Sequence, residues 1–536
     1  MSFLRLLLER RSLYILIITA VLLGGLFRLV NLGGKVYWHD ETYTALYATG
    51  HSNLEASSAL FDGQLKTVAD VLPFQTVTPG RGLGATIRQL AANDAQHPPL
   101  YYLAVRLVMY GIGDPVLATR LVAAIAGILL IPAVYWLSLE LFSSPVTASI
   151  SAALIAVSPF HYLYAQEARE YSLWALAIAL TSIALFKALR KNSLLGWLTY
   201  AAAMTASLYV CVLTLLMAAS HSGYVIWQTV TGQSSSWQTR YRTVLRNFAL
   251  SVGASLLLFT PWLQFIFRSD LQAVMGWTAV PMSTGALAKI WAGNLTRLFF
   301  DLNLDATDPL FYTIPPILLA LALIGYTLIW ATRHLPKSAL IFLALLGGIT
   351  LVALAGPDLV SGGRRSSISR YLTPTYLGLQ LALAYLLAQK LSARRARLFW
   401  RGTLVSLIMA GILSCAVSLP ADTWWHKKNS HLNPEVVRVI DSSPNTLLIS
   451  SNHHTNLGEI FSLCHLLSPE QALLLFNEPD RPVIPEGFDQ IFIFNVSHQA
   501  RNQLDQMADY KVAPAYEGGR LWQLKAREKM PEQQTS

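Results

Sequence analysis

The sequence predicts an all-α polytopic membrane protein of about eleven spans, followed by a small soluble α/β domain. Only 13% of its 536 residues are charged and 53% are hydrophobic, with a mean hydropathy of +0.42, whereas a soluble globular protein carries roughly 25% charged residues. Apolar segments near the roughly 20 residues that cross a bilayer recur up to about Pro420. We therefore expect two domains, 1–420 in the membrane and 421–536 outside it.

The predicted spans share an apolar composition and a length close to that of a membrane helix. They are 12–31, 116–139, 146–165, 170–188, 195–210, 212–230, 248–267, 310–331, 338–356, 371–389 and 402–420. The first is too long for a cleaved signal peptide, so we interpret it as a retained anchor with a cytoplasmic N-terminus.

The net charge of +10 is a feature that nucleic-acid-binding proteins share. Here, however, the basic residues lie mainly in short loops between spans, where they set membrane orientation. We therefore expect membrane lipids, and no nucleic acid, as partners.

The segment "HPPLYYLAVRLVMYGIG", 97–113, decides the topology. If it crosses the membrane, the basic clusters that follow face outward. If it lies along the outer surface as an amphipathic helix, they face the cytoplasm, as the positive-inside rule requires. The charge pattern favours the surface helix, which makes 32–115 an outer loop and places the C-terminal domain outside the cytoplasm.

The C-terminal segment has an α/β pattern. Alternation and β-branched residues predict strands at 446–451, 490–495 and 520–525, and an amphipathic helix at 498–510. The polar end "REKMPEQQTS" predicts disorder. The cluster "NHHTN" at 452–456 has no zinc-ligand spacing.

Two adjacent carboxylates, Asp40 and Glu41, follow the first span. They suit the start of a helix, where acidic groups accept free backbone N–H groups and complement the dipole. A helix from this point would also place Asp40, Tyr43 and Tyr47 on one face, with Glu41 about 100° away. Asp40 is then a candidate general base for an acceptor hydroxyl.

Further polar groups lie on the same predicted outer face. His97 precedes two prolines and is either a plain helix entry or a functional group at headgroup depth. In "QEARE", Arg169 with Glu167 and Glu170 forms either a surface ion cluster or part of a site. The arginines of "GRRSSISRY", including Arg370, run against the positive-inside trend and suit phosphate binding.

Taken in order, "YWHDETYTALYATG", "HPPLYYLAVRL", "SPFHYLYAQEAREYSLWAL" and "SRYLTPTYLGLQLALAYLL" resemble the GT-C glycosyltransferases of families 39 and 83. The likeness is to the bacterial branch related to protein O-mannosyltransferases and the lipid A aminoarabinose transferase, and covers roughly residues 1–400. It implies a GT-C fold in a bacterial inner membrane. It also implies extracytoplasmic, inverting transfer of a sugar from a polyprenyl-phosphate donor to a lipid, glycan or protein acceptor.

The resemblance also implies roles for individual residues. Asp40 is similar to the catalytic base, and Glu41 is its neighbour in a catalytic pair; His97, Arg169, Arg370 and Tyr371 stand at donor-phosphate positions, and Tyr43 and Glu167 at substrate positions. His97 replaces the lysine that is usual in the aminoarabinose branch, which leaves the lipid contact and a divalent cation open.

Two other classes remain as alternatives. A transporter or lipid flippase would line a path with polar residues, but such proteins place ionisable groups near the bilayer midplane, often in repeated halves. The candidates here lie at span ends, and we find no inverted repeat in the sequence. A non-catalytic assembly or sensor protein on a GT-C scaffold would not depend on Asp40.

Overall fold

The computed structural model describes 3–231, 235–270, 276–304, 308–393, 396–454, 456–516 and 518–527. The predicted disorder at the C-terminal end falls almost wholly outside these residues. The chain forms two compact units. The membrane unit comprises Met1–Leu32, Leu90–Ala104 and Thr119–Pro420, and the second unit comprises Gly33–Gln89, Val105–Ala118 and Ala421–Ser536.

This division differs from the expected domains 1–420 and 421–536 in where it places the first outer loop. Most of that loop, 33–89, belongs with the C-terminal segment. Two features join them: the strand Leu65–Thr67 pairs with Ala472–Phe476, and apolar loop residues share a core with the C-terminal helices. A three-residue strand gives no sequence signal of its own, because strand periodicity needs a longer run to be recognised.

The membrane unit is helical. Its α-helices are Phe3–Leu29, Leu100–Met109, Pro115–Phe142, Pro145–Ala156, Pro159–Ala165, Tyr171–Lys191, Leu194–Val210, Thr214–Thr231, Ser235–Arg268, Thr284–Thr296, Leu310–His334, Lys337–Ser361, Thr373–Ser392 and Arg397–Ser418. The second and third of these helices each have one end that belongs to the second unit. Short 3₁₀ turns occupy Gly276–Ala279, Arg365–Ser367 and Ser369–Leu372.

Helices occur at all eleven predicted span positions. Among the described residues, seven helices are long and apolar enough to cross a membrane, or eight if Pro145–Ala156 and Pro159–Ala165 form one bent span. The helix Leu100–Met109 has ten residues, about 15 Å at 1.5 Å per residue, which is half the hydrocarbon thickness. This helix is therefore shorter than the length that crosses a bilayer.

The bent span is held at its break by a buried cation. Its two halves meet at 58°, which frees carbonyl groups that cannot bond to water inside a membrane. Arg28, wholly buried, donates from Nη1 to the Ala156 carbonyl at 2.6 Å and from Nη2 to the Ile155 carbonyl at 3.0 Å. The break thus places a second helix, Pro159–Ala165, directly before the 166–170 loop.

The second unit contains an α/β layer. Its α-helices are His39–Ala48, Asn53–Leu60, Val68–Val71, Leu83–Asn93 (which ends in the membrane unit), Asn433–Asp441, Asn456–Cys464 and His498–Asp505, with 3₁₀ segments Leu72–Gln75 and Trp425–Leu432. The strands are β1 Leu65–Thr67, β2 Thr446–Ser451, β3 Ala472–Phe476, β4 Gln490–Phe494, β5 Tyr510–Pro514 and β6 Leu521–Ala526.

The six strands form one mixed sheet in the order β1-β3-β2-β4-β6-β5. β2 lies parallel to both β3 and β4, while the outer pairings are antiparallel. Alternate residues of β2 enter opposite cores, Leu448 on one face and Leu447 and Ile449 on the other, as the two-residue period of a strand requires.

The predicted α/β character is confirmed, with corrections of detail. The three predicted strands are present, but β1, β3 and β5 were not predicted. The predicted helix 498–510 ends at Asp505. Asp505 then accepts the Val512 backbone N–H at 2.7 Å, and the chain from Tyr510 forms a strand instead.

Candidate active site

The 166–170 loop joins Pro159–Ala165 to Tyr171–Lys191 and carries buried charges. Glu167, Arg169 and Glu170 are each at most 4% exposed. The Gln166 side chain anchors the loop by donating to the carbonyls of Phe27 and Val30, both at 2.9 Å. The surface ion cluster offered as one interpretation of these residues is therefore wrong, because the carboxylates and the guanidinium lie inside the protein.

His97 joins this loop from a distant part of the sequence. Its Nδ1 atom lies 2.7 Å from Oε1 of Glu170, and Nη2 of Arg169 lies 2.9 Å from its Nε2. Because a guanidinium only donates hydrogen bonds, Nε2 acts as the acceptor and Nδ1 carries the proton that Glu170 accepts. Arg169 supplies a permanent positive charge beside the imidazole.

The Glu170 carboxyl remains ionised despite its burial. Burial raises the pKa of this group. The neighbouring Arg169 and His97 lower the pKa by a larger amount, so that it is about 2. Nε of Arg169 lies 3.5 Å from its second oxygen. Asp94 also faces the cluster, with an oxygen 4.0 Å from Nε2 of His97. The histidine is therefore oriented by charged groups on more than one side.

Arg370 lies in a second buried group of the same unit. Its Nη1 atom is 3.8 Å from Oε1 of Glu167. Its guanidinium stands over the rings of Tyr171, at 5.1 Å, and Tyr371, at 5.9 Å, within the range of a cation–π contact. A guanidinium has five N–H donors in a rigid fork, so it can hold a carboxylate and a phosphate oxygen together.

The other arginines of "GRRSSISRY" hold their own loop. Arg365 pairs with the buried Asp358 at 3.2 Å, and Asp358 also accepts the backbone N–H and the hydroxyl of Ser366, both at 2.7 Å. Arg364 stands over the Trp277 ring at 5.7 Å. These contacts fix the turn that precedes Arg370.

The second unit holds Asp40 and Glu41. The helix His39–Ala48 starts at the N-cap Trp38, so Asp40 is in the first turn and is not the capping residue. Glu41 takes part in the cap, because its Oε2 accepts the Trp38 backbone N–H at 3.2 Å. The same oxygen lies 2.8 Å from Nζ of Lys427, and both side chains are fully buried.

Asp40 and Tyr43 lie on less buried parts of this helix. Both residues are of intermediate exposure. The Tyr43 ring stacks on Tyr47, with centroids 6.0 Å apart, as their four-residue spacing predicts. The helix expected from this sequence is thus confirmed, together with the separation of Asp40 from Glu41.

Five of the eight residues chosen from the sequence lie in the membrane unit and three in the second unit. The structure brings His97 against Arg169, and Arg370 against Glu167 and Tyr371. Sequence reasoning gave no separate role to Glu170, and it missed Asp94, Tyr171 and Lys427. For Glu170, Tyr171 and Lys427 the signal is weak because their partners lie far away in the sequence, whereas Asp94 lies only three residues from His97.

No three His, Cys, Asp or Glu side chains are arranged to hold a metal ion within the parts of the chain that the structure describes. His453 and His454 of "NHHTN" have ring centroids 4.0 Å apart, while His465 hydrogen-bonds Gln75 at 2.6 Å. Cys464 is buried in the apolar core.

Comparison with known proteins agrees with this architecture. Residues 96–265, which include His97, Arg169 and Glu170, match the family model described as dolichyl-phosphate-mannose-protein mannosyltransferase. No curated protein sequence matches the chain significantly.

Similar solved structures include ArnT from Cupriavidus metallidurans bound to undecaprenyl phosphate, at 13% identity, with a TM-score of 0.55 and coverage of 96% of this chain and 98% of that chain. The apo state of the same protein gives 13% identity, a TM-score of 0.52 and the same coverage. The archaeal oligosaccharyltransferase AglB from Archaeoglobus fulgidus gives 12% identity and a TM-score of 0.47, with 88% and 65% covered.

The fold that the motifs predict is therefore confirmed: the chain is a polytopic membrane protein with the GT-C glycosyltransferase fold, similar to ArnT and, over 96–265, to the protein mannosyltransferases.

Proposed function

We propose that this protein transfers a sugar from a polyprenyl-phosphate donor to an extracytoplasmic acceptor at a bacterial inner membrane, with inversion at the anomeric carbon. The observation that carries the proposal is the buried group of His97, Arg169 and Glu170, which lies within the segment that matches the mannosyltransferase model. Support for the donor class comes from ArnT, a protein of the same fold that was crystallised with undecaprenyl phosphate.

The chemistry needs a stabilised leaving group and a base. The acceptor oxygen forms a bond to the anomeric carbon while the bond from that carbon to the phosphate oxygen breaks, and its electron pair leaves with the phosphate. Arg169 and Arg370 would stabilise the resulting negative charge, with Tyr371 beside Arg370. His97, held by Glu170, would keep the Arg169 guanidinium in place to bind a phosphate oxygen.

The acceptor proton needs a separate group. Asp40 is the candidate base, because its side chain is in the first turn of a helix and is not fully buried. Tyr43 shares its face and would bind the sugar or the acceptor, and Glu167 would act as a substrate-binding residue through Arg370. Glu41 is the neighbour of Asp40 in the catalytic pair that the resemblance implies, and its buried ion pair with Lys427 suits a supporting role.

The test incubates the purified protein with a panel of polyprenyl-phosphate sugars and follows release of the polyprenyl phosphate. We expect turnover with at least one donor and a loss of about 100-fold or more in Asp40→Asn. Asp62→Asn is the matched control, since Asp62 is an exposed acid of the same loop that pairs with Lys66. Undiminished turnover in Asp40→Asn would exclude this base, and no turnover with any donor would favour the transporter or scaffold alternatives.

A further inference from the structure

The first turn of the helix His39–Ala48 is bound on several sides by the C-terminal segment. The strongest contact is the ion pair between Glu41 and Lys427, 2.8 Å long with both side chains fully buried. A charge in the protein interior is costly unless its partner is correctly placed. The pair therefore stabilises one position of the helix start relative to the 3₁₀ segment Trp425–Leu432.

A second contact involves His39, the first residue of the helix. The Ser430 hydroxyl accepts the backbone N–H of His39 at 3.0 Å and donates to the buried Glu459 at 3.2 Å. Nδ1 of His39 lies 3.6 Å from the same Glu459 oxygen. Arg520, from the strand end, donates to the other Glu459 oxygen at 3.2 Å. His39 and Glu41, the neighbours of Asp40, are thus linked to the 3₁₀ segment Trp425–Leu432, to Glu459 and, through Glu459, to Arg520.

The third contact is steric. The helix Asn456–Cys464 passes so close to His39–Ala48 that a Cβ atom at Gly458 would lie 2.5 Å from Nδ1 of His39 and 2.8 Å from the Tyr43 ring. Real Cβ atoms do not approach other atoms so closely, so glycine is needed for this crossing. The Thr42 hydroxyl also lies 3.2 Å from the Gly458 carbonyl.

We propose that Lys427, Glu459 and Gly458 are positioning residues for Asp40, and that this is a function of the C-terminal segment 421–465. The inference rests on the proposed role of Asp40. Glu41 holds the helix start through Lys427, and the reacting carboxylate is the neighbouring one. The C-terminal segment is then part of the catalytic machinery by way of this helix, and its removal abolishes turnover.

Two variants test the proposal on the full-length protein. Lys427→Met removes the buried cation, and Gly458→Ala keeps every charge but adds the Cβ that meets His39. Hydrogen–deuterium exchange of peptides covering 39–48 is expected to accelerate about tenfold in both, since the helix start loses its fixed partner. Arg438→Met is the matched control, because Arg438 pairs with Asp422 at 3.5 Å and both side chains are 67% exposed.

Kinetics separate positioning from general loss of structure. In Gly458→Ala, kcat is expected to fall about 100-fold, while the KM for the donor changes much less, because the proposed phosphate-binding groups Arg169 and Arg370 are not altered. Lys427→Arg, which keeps the charge, recovers most of the exchange protection and of kcat. Unchanged exchange at 39–48 and unchanged kcat in Lys427→Met and Gly458→Ala would overturn the proposal.

The exchange result stands apart from the reaction. If exchange at 39–48 is faster in the variants but the unmodified protein turns over no donor, the contact between the helix and the C-terminal segment is supported and the glycosyltransferase proposal is rejected. Turnover that is normal in both variants rejects the positioning role and leaves the glycosyltransferase proposal standing.

Discussion

Nδ1 of His97 and Oε1 of Glu170 lie 2.7 Å apart, although 73 positions separate the two residues in the sequence. The contact orients the imidazole so that Nε2 faces Arg169. A histidine that only precedes a helix does not require hydrogen bonding to a buried carboxylate. The contact therefore favours the functional interpretation of His97.

His97→Ala is expected to lower kcat/KM for the donor about 10- to 100-fold, because the Arg169 guanidinium loses the imidazole that holds it for the leaving phosphate. The measurement is release of polyprenyl phosphate at several donor concentrations. His498→Ala is the control, since His498 is exposed and lies in the second unit. Equal activity in the two variants would remove His97 from the site.

Glu170 gives a pH-dependent contribution to stability. Its pKa of about 2 in the folded protein is below the roughly 4.3 of an unfolded chain, so the carboxylate stabilises the fold at neutral pH by on the order of 3 kcal/mol. That contribution is complete above about pH 5 and is lost as the pH falls from about 4.3 to about 2. Unfolding in detergent, followed from pH 7 to pH 3, should show the stability difference between the unmodified protein and Glu170→Gln shrinking below about pH 4. A difference that is constant over this range would contradict the prediction.

Arg28 is expected to stabilise the bent span. Arg28→Met leaves the carbonyls of Ile155 and Ala156 without their donor, and an unsatisfied buried polar group costs about 1–3 kcal/mol. The melting temperature in detergent should fall clearly in Arg28→Met. Lys191→Met, at an exposed helix end, should melt like the unmodified protein. If both variants melt alike, the carbonyls at the break have another partner.

Adjacent glycines of the first helix give an internal comparison. A Cβ at Gly24 would overlap the Ala156 carbonyl oxygen, whereas at Gly25 it would meet nothing within 4 Å. Gly24→Ala should destabilise the protein by about 1–3 kcal/mol through overpacking. Gly25→Ala should be neutral or stabilising by up to about 1 kcal/mol, because alanine is the better helix former. Melting curves of the two variants check the sign, and the reverse order would show that the helix packs by another face.

The sequence by itself determined the helices of the membrane unit. Apolar runs of membrane length decide this, because lipid leaves a backbone few alternatives to a helix. The period of a helix also determined that Asp40 and Tyr43 share a face from which Glu41 is turned away.

The tertiary structure decided which polar residues meet. Nothing in the local sequence indicates that Glu41 pairs with Lys427, that Glu170 orients His97, or that Arg28 binds the break of another helix. These contacts depend on segments far apart in the chain, and each is fixed by burial, where an ionised or hydrogen-bonding group must find a partner. The strand β1 is a similar case, since three residues form a strand only because β3 lies beside them.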